Sequence, residues 1–247
     1  MLELNGRVCL VTGASGVLGD AICEELVRQG AFVVGLYHCN VEPMHALVAK
    51  TEALPGTLTP LACDLTSPEA TTHMLATLTE GGRGIDVLIC CAAKMLRKSA
   101  LLTNQADCDQ LFDLNFDATA RLVRQVLRPM LRQRVGRIVL IGSRAGEQGM
   151  PGQSVYAASK AALHGFARSL AFEVGEYGIT VNVVAPGAVA GPQTHYSEAD
   201  AQEVCRNIGL RRLGRPEEIA PIVSFLASAR ASYINGAIIA VDGGGRF

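Results

Sequence analysis

The run Thr12-Gly13-Ala14-Ser15-Gly16-Val17-Leu18-Gly19 constrains this chain more than any other stretch. It is entered from Arg7-Val8-Cys9-Leu10-Val11, which has the length and apolarity of a buried strand, and it is left through a helical pattern that continues to Gln29. Strand, glycine turn and helix in immediate succession can lay a pyrophosphate on a helix N-terminus. Glycines let the backbone approach, and free N–H groups with the helix dipole favour anionic oxygens. Gly13, Ser15, Gly16, Val17, Leu18 and Gly19 are therefore candidate phosphate contacts. The plainer alternative is a tight connection with no ligand.

The rest of the chain continues the alternation. Residues 31–37 read as a second buried strand that ends in His38-Cys39-Asn40. Sites for NAD usually carry an acidic residue near this point for the ribose 2′-hydroxyl. None is present, so a 2′-phosphate is not repelled, and Ser15, His38 and Asn40 are the groups available to contact it. Helix 42–53, strand 58–63, Asp64-Leu65, helix 68–78 and strand 85–91 follow, each strand apolar throughout. That order implies a parallel sheet covered on both faces.

A helical pattern over 107–133 contains Asn115, and Pro129 is expected to kink it near its end. Arg121, Arg124, Arg128 and Arg132 form a basic stripe, read as a solvated face partly paired with Asp117 or as a docking surface for an acidic partner. Strand 137–141 delivers Gly142-Ser143 to the carboxyl edge of the sheet, where ligands sit in such folds. Helix 154–171 then places Tyr156 and Lys160 four apart on one face. Ionising half of a free tyrosine at neutral pH needs roughly 4 kcal/mol of help, which a fixed cation can partly supply. Strand 179–185, Pro186-Gly187, a loose segment 188–209 suited to a substrate lid, helix 216–226 and strand 237–241 complete the 247 residues as one domain.

A net charge of −1 gives no footprint for nucleic acid. The apolar runs fall short of the roughly 20 residues that span a bilayer, and the N-terminus lacks a signal-peptide pattern, so a soluble cytoplasmic protein is expected. The eight cysteines show no CxxC spacing and are expected to be reduced. His45, His73, His164 and His195 have no companions at ligand spacing, so no metal is assigned.

The glycine turn, Asp64, Asn115, Ser143, Tyr156/Lys160, the run 182–187 and Val241-Asp242-Gly243-Gly244 occur in an order that resembles the short-chain dehydrogenase/reductase family. The run 178–187 is most similar to bacterial 3-oxoacyl-[acyl-carrier-protein] reductases. The resemblance implies a single-domain α/β fold of Rossmann type, a doubly wound parallel sheet with helices on both faces. It carries a catalytic tetrad onto Asn115, Ser143, Tyr156 and Lys160, and cofactor contacts onto Asp64, Leu65, Cys91, Ala92, Tyr156, Lys160, Pro186, Gly187 and Val189. Two departures stand out. Val17 occupies the place of a glycine in that branch, and Cys90-Cys91-Ala92-Ala93 replaces Asn-Asn-Ala-Gly, exchanging strong hydrogen-bonders for weak ones.

By this resemblance the enzyme reduces a ketone with NADPH. Tyr156 donates a proton, Lys160 lowers the phenol pKa and holds ribose hydroxyls, Ser143 binds the carbonyl oxygen, and Asn115 holds a water that reconnects Lys160 to solvent. The expected substrate is a 3-oxoacyl chain on an acyl carrier protein, of fatty-acid or polyketide type. Arg128, Arg132, Arg134 and Arg137 are the candidate docking residues, although Tyr177 stands where a further basic residue is usual. A small ketone, secondary alcohol or sugar is the alternative substrate, and a non-catalytic dinucleotide sensor the alternative of another class. The resemblance implies a homotetramer, and Leu111, Leu114, Ala118, Leu122, Val126 and Phe172 look too numerous for one buried face.

Overall fold

The computed structural model describes residues 2–80, 84–191 and 198–246. Seven strands form one sheet: β1 (Val8–Thr12), β2 (Phe32–Tyr37), β3 (Thr57–Ala62), β4 (Val87–Cys90), β5 (Gly136–Ile141), β6 (Ile179–Pro186) and β7 (Ile238–Val241). Their order is β3-β2-β1-β4-β5-β6-β7, and every pairing is parallel. The unbroken apolarity of the central strands follows from burial on both sides. Cys9 and Val11 of β1 join one core with Val87, Ile89, Val139 and Val184, while Leu10 joins the other with Leu88, Ile138, Leu140 and Val183.

Helices α1 (Val17–Arg28), α2 (Glu42–Thr51) and α9 (Pro216–Ala227) cover the first face through Ile22, Leu26, Met44, Leu47, Val223 and Leu226. The second face is covered by α3 (Pro68–Thr79), α5 (Thr119–Gln133) and α7 (Ser154–Val174) through Met74, Leu122, Val126, Leu163 and Leu170. Among the described residues no helix is long and apolar enough to cross a membrane. All eight cysteines are free thiols.

The 107–133 pattern is a helical run with an irregularity that was not expected. It comprises α4 (Gln105–Phe112), a π-helical turn (Asp113–Ala118) that carries Asn115, and α5, which runs through Pro129. The basic stripe divides. Arg121 donates to the carbonyls of Leu65 and Thr66 at 2.7 and 3.1 Å, so it anchors the turn before α3 and is not a solvated side chain. Arg124, Arg128 and Arg132 are exposed, and among the described residues none forms an ion pair with Asp117.

The apolar surplus is also smaller than the sequence suggested. Leu111, Ala118, Leu122 and Val126 are buried within this one chain, whereas Phe172 is 93% exposed. The segment 188–209, expected to be loose, contains α8 (Glu198–Arg206); its residues 192–197, including His195, lie outside the described residues.

Candidate active site

The strand order reverses between β1 and β4, and at that point the carboxyl ends of the strands open onto a cavity of about 790 Å³. This is where open α/β sheets take ligands, and the volume suits a cofactor.

The glycine turn forms one wall. Gly13 has φ +68°, and a Cβ there would lie 2.7 Å from the Ala92 Cα; a Cβ on Gly19 would lie 2.0 Å from the Gly13 carbonyl oxygen. Both positions are closed to any side chain. Gly16 caps α1, and Val17 opens it. The Val17 side chain packs sideways, since a Cβ on Gly191 would come within 2.9 Å of its Cγ1. It therefore links the turn to the start of the 188–209 segment.

At the switch point Thr12 performs a task the sequence reading did not assign. Its Oγ1 accepts hydrogen bonds from the Cys91 and Ala92 N–H groups, both at 3.0 Å, tying β1 to the exit of β4. Burial pushes the Cys90 thiol to about 12 and the Cys91 thiol to about 11, so both are neutral at physiological pH. The departure from Asn-Asn thus leaves the backbone held by Thr12.

His38, Asp64 and Leu65 line one end of the cavity. The Asp64 carboxylate accepts from the Thr66 N–H at 2.9 Å and its hydroxyl at 2.7 Å, which holds its pKa below the usual range, and it stands 4.0 Å from His38 Nε2. Asn40 is not among the lining residues; its Oδ1 accepts from the Glu42 N–H at 3.2 Å, at the start of α2.

Ser143, Tyr156 and Lys160 meet at the other end, with Leu114, Met150 and Gln153 beside them. Lys160 is 3% exposed and donates to the Ile141 carbonyl at 2.8 Å, and burial pushes its ammonium down to about 8. Burial raises the Tyr156 phenol, while a hydrogen bond with the Ser143 side chain acts in the opposite sense. In this geometry the hydrogen bond with Ser143 favours ionisation of the phenol. Asn115 lies behind the cavity wall. Its Oδ1 accepts from the Lys94 N–H at 2.8 Å, and its Nδ2 donates to the Lys94 carbonyl and the Ser159 hydroxyl, both at 3.0 Å. The Asn115 side chain thus joins the exit of β4 to α7.

Arg144, at the entrance to the short helix α6 (Ala145–Gln148), pairs with Asp242 at 2.7 Å and with Glu147. Its N–H donates to the Pro186 carbonyl at 3.0 Å. Pro186, Gly187 and Val189 line the same side of the cavity, and Gly187 is pressed by Asp242, whose Cβ would lie 2.7 Å from an added Cβ. Arg144 carries no local signal of its place in the site, because Asp242 and Pro186 lie far along the chain.

The family model described as enoyl-(acyl carrier protein) reductase matches residues 13–245. The chain belongs to the short-chain dehydrogenase/reductase family. It is 38% identical to the 3-oxoacyl-[acyl-carrier-protein] reductase of Rickettsia bellii, over 99% of this chain and 98% of the relative. It is 40% identical to the Pseudomonas aeruginosa reductase of the same name, over 98% of each chain. A solved 3-oxoacyl-[acyl-carrier protein] reductase from Brucella melitensis superposes with a TM-score of 0.92 at 27% identity, covering 100% of this chain and 93% of that one.

For a short-chain reductase the bound group is a nicotinamide dinucleotide, and the residues present fit it. The cradle of Gly13 and Gly19 is closed to side chains, α1 begins directly behind it, and the cavity runs from there past His38 and Asp64 to Tyr156 and Lys160.

Proposed function

We propose that this enzyme reduces a 3-oxoacyl thioester to the 3-hydroxyacyl product with NADPH, and that its substrate is carried on an acyl carrier protein. The observation that carries the reading is the convergence of Ser143, Tyr156 and Lys160 on one wall of a cavity whose far wall is the glycine cradle. The names of these three relatives, each a 3-oxoacyl-[acyl-carrier-protein] reductase, support the substrate class.

The dinucleotide, when bound, supplies the hydride. Gly13, Ser15, Gly16, Val17, Leu18 and Gly19 would hold its pyrophosphate, and His38 is the group nearest in chemistry to a 2′-phosphate. Ser143 donates a hydrogen bond to the substrate carbonyl, stabilising charge where it develops. Tyr156, kept protonated by burial, gives its proton to the forming alkoxide. Lys160 fixes ribose hydroxyls and carries positive charge beside the phenol. Asn115 acts through its bonds to Lys94 and Ser159, the latter also bonded to the Tyr156 carbonyl at 2.8 Å, and so sets the register of α7 against the β4 exit.

The carrier-docking residues need a second copy of the chain. Arg134 and Arg137 flank the amino end of β5, a strand of six residues, and the cavity opens at its carboxyl end, about 20 Å away. Arg137 spends its guanidinium on the Ser228, Gly136 and Gly178 carbonyls, whereas Arg134 donates to the Glu176 carbonyl and stacks over Tyr177. Arg134 therefore serves the cavity of a neighbouring subunit, and a homotetramer with Phe172 in a contact is the assembly inferred. A small polyol or ketone is the second reading, favoured by the TM-score of 0.94 to an Agrobacterium tumefaciens structure named as a candidate gluconate dehydrogenase.

The test is oxidation of NADPH followed at 340 nm with one 3-oxoacyl group on carrier protein, the same group on a short thioester, and a panel of simple ketones and sugar acids. Higher kcat/KM for the thioesters is expected; turnover of the ketones or sugar acids alone would overturn the reading.

A further inference from the structure

We propose that His164 is a positioning residue for Ser143, acting as a neutral imidazole wedged behind the turn Gly142–Gly146. The proposal rests on the reading of Ser143 and Tyr156 as the acting groups. His164 lies one helical turn beyond Lys160 on α7, and the two side chains reach adjacent residues at the end of β5. Lys160 donates to the Ile141 carbonyl at 2.8 Å. The His164 ring abuts the next residue, since a Cβ on Gly142 would lie 2.9 Å from its Nε2, and a Cβ on Gly146 would lie 3.2 Å from its Cε1.

These two glycines flank Ser143, so the ring rests against both ends of the turn that aims it. The turn is closed by hydrogen bonds from the Gly146 N–H to the Ser143 carbonyl at 3.0 Å and from the Ala145 N–H to Ser143 Oγ at 3.1 Å. Val183 leaves no slack beside Gly142, as its Cγ1 would lie 2.7 Å from an added Cβ. A ring that grows, tilts or withdraws must move Ser143 with respect to Tyr156.

The chemistry of the ring is as telling as its place. His164 is 6% exposed, and its Nε2 is buried without a hydrogen-bond partner in the protein. Leucine would fill the space without leaving a polar atom unpaired. The charged groups around the ring are Lys160 and Arg168 on α7, and Arg144 and Glu147 from the turn and α6; Val183 on β6 brings none. Three cations against one carboxylate, in a site largely closed to water, disfavour a further positive charge, and burial holds the His164 pKa below 6.5. The folded protein therefore keeps the ring neutral at pH values where the unfolded chain has protonated it. The stability and the Ser143 geometry that depend on the neutral ring are complete above pH 6.5 and are lost as pH falls below it.

The test combines kcat and KM for a 3-oxoacyl thioester between about pH 5 and pH 8 with imidazole NMR titration of the unmodified protein. His164→Gln serves to assign the signal, and His164→Leu is its apolar counterpart. The expected result is an acid limb in wild-type kcat below pH 6.5 that follows the His164 titration and is absent in both variants. In His164→Leu, kcat is expected to fall at every pH, by up to about a hundredfold for an ångström of misplacement, with KM for NADPH unchanged. An acid limb that persists unchanged in both variants, or a His164 signal that titrates at or above 6.5, would overturn the proposal. The NMR measurement decides alone should the variants not fold. If Tyr156→Phe is inactive while the His164 variants keep the wild-type profile, only the His164 role is lost; if Tyr156→Phe retains activity, the reading of the site itself has failed.

Discussion

Replacing Lys160 by methionine is expected to abolish reduction and, at neutral pH, to make the protein more stable. Burial takes the Lys160 ammonium from 10.5 to about 8, so keeping it charged at pH 7 costs the folded state about 3 kcal/mol at 1.36 kcal/mol per pH unit. Methionine fills a similar volume and carries no charge. The substitution leaves the Ile141 carbonyl without its 2.8 Å donor, which returns about 1 kcal/mol of that gain. A net stabilisation of about 2 kcal/mol raises Tm by about 4–8 °C in a chain of this size. The gap closes as pH rises. Between about 8 and 10.5 the unfolded chain binds a proton at this lysine that the folded protein does not, so wild-type stability rises with pH while the variant gains nothing from the site. Thermal melts of both proteins at pH 7 and pH 9.5 should therefore show a gap that narrows at the higher pH. A variant less stable than wild type at pH 7, or a gap of the same size at both, refutes the reasoning and means that Lys160 is solvated or paired.

Tyr156→Phe keeps the buried ring and deletes the proton donor, so kcat is expected to fall by about 10²- to 10⁴-fold with dinucleotide affinity nearly intact; a residual kcat above about a tenth of wild type contradicts the assigned role. Gly19→Ala places a Cβ 2.0 Å from the Gly13 carbonyl oxygen and 2.8 Å from the Ala14 Cα, so fluorescence titration with NADPH is expected to show no saturable binding. NADPH is expected to be preferred over NADH only modestly, and His38→Ala to lower kcat/KM for NADPH about fivefold and leave NADH unchanged, the size of one exposed charge pair. Equal losses with both cofactors would remove His38 from 2′-phosphate recognition. Arg134→Glu is expected to erase the advantage of carrier-linked over short thioester substrate without changing turnover of the latter; an advantage that survives the charge reversal leaves Arg134 with only its contacts to Glu176 and Tyr177.

The sheet was legible because its central strands announce burial on both faces: Leu10 and Cys9 point to opposite cores and both are fully buried, which requires consecutive apolar residues. The glycine turn and the Tyr156–Lys160 pair were legible because their geometry is local. The π-helical turn was not. Pro129 is the visible breaker in that helix, yet the irregularity falls at 113–118, where Asn115 bonds to Lys94 and to Ser159, a residue 44 positions away. Arg121 misled in the same way, since its basic character suggested solvent while its partners, the Leu65 and Thr66 carbonyls, lie on another element. The apolar count on the run from α4 to α5 was misjudged because residues on more than one side of it are buried, Leu111 in one cluster and Leu122 and Val126 in another.

The charge state of the site is the part that spacing could least convey. A spacing of four from tyrosine to lysine suggests a cation that acidifies a phenol, but the sign of each pKa shift depends on how much water the fold removes. Here burial raises Tyr156, lowers Lys160 and raises Cys90 and Cys91, every shift toward the neutral form. The hydrogen bond with Ser143 then favours phenolate, and the lysine, poised near 8, titrates first as pH rises. The dry wall that makes the charge costly is also what strengthens the hydrogen bonds that a substrate oxygen would receive there. A carbonyl bound at Ser143 therefore meets a protonated phenol at neutral pH, which is the protonation state that reduction requires and that oxidation of an alcohol would have to reverse.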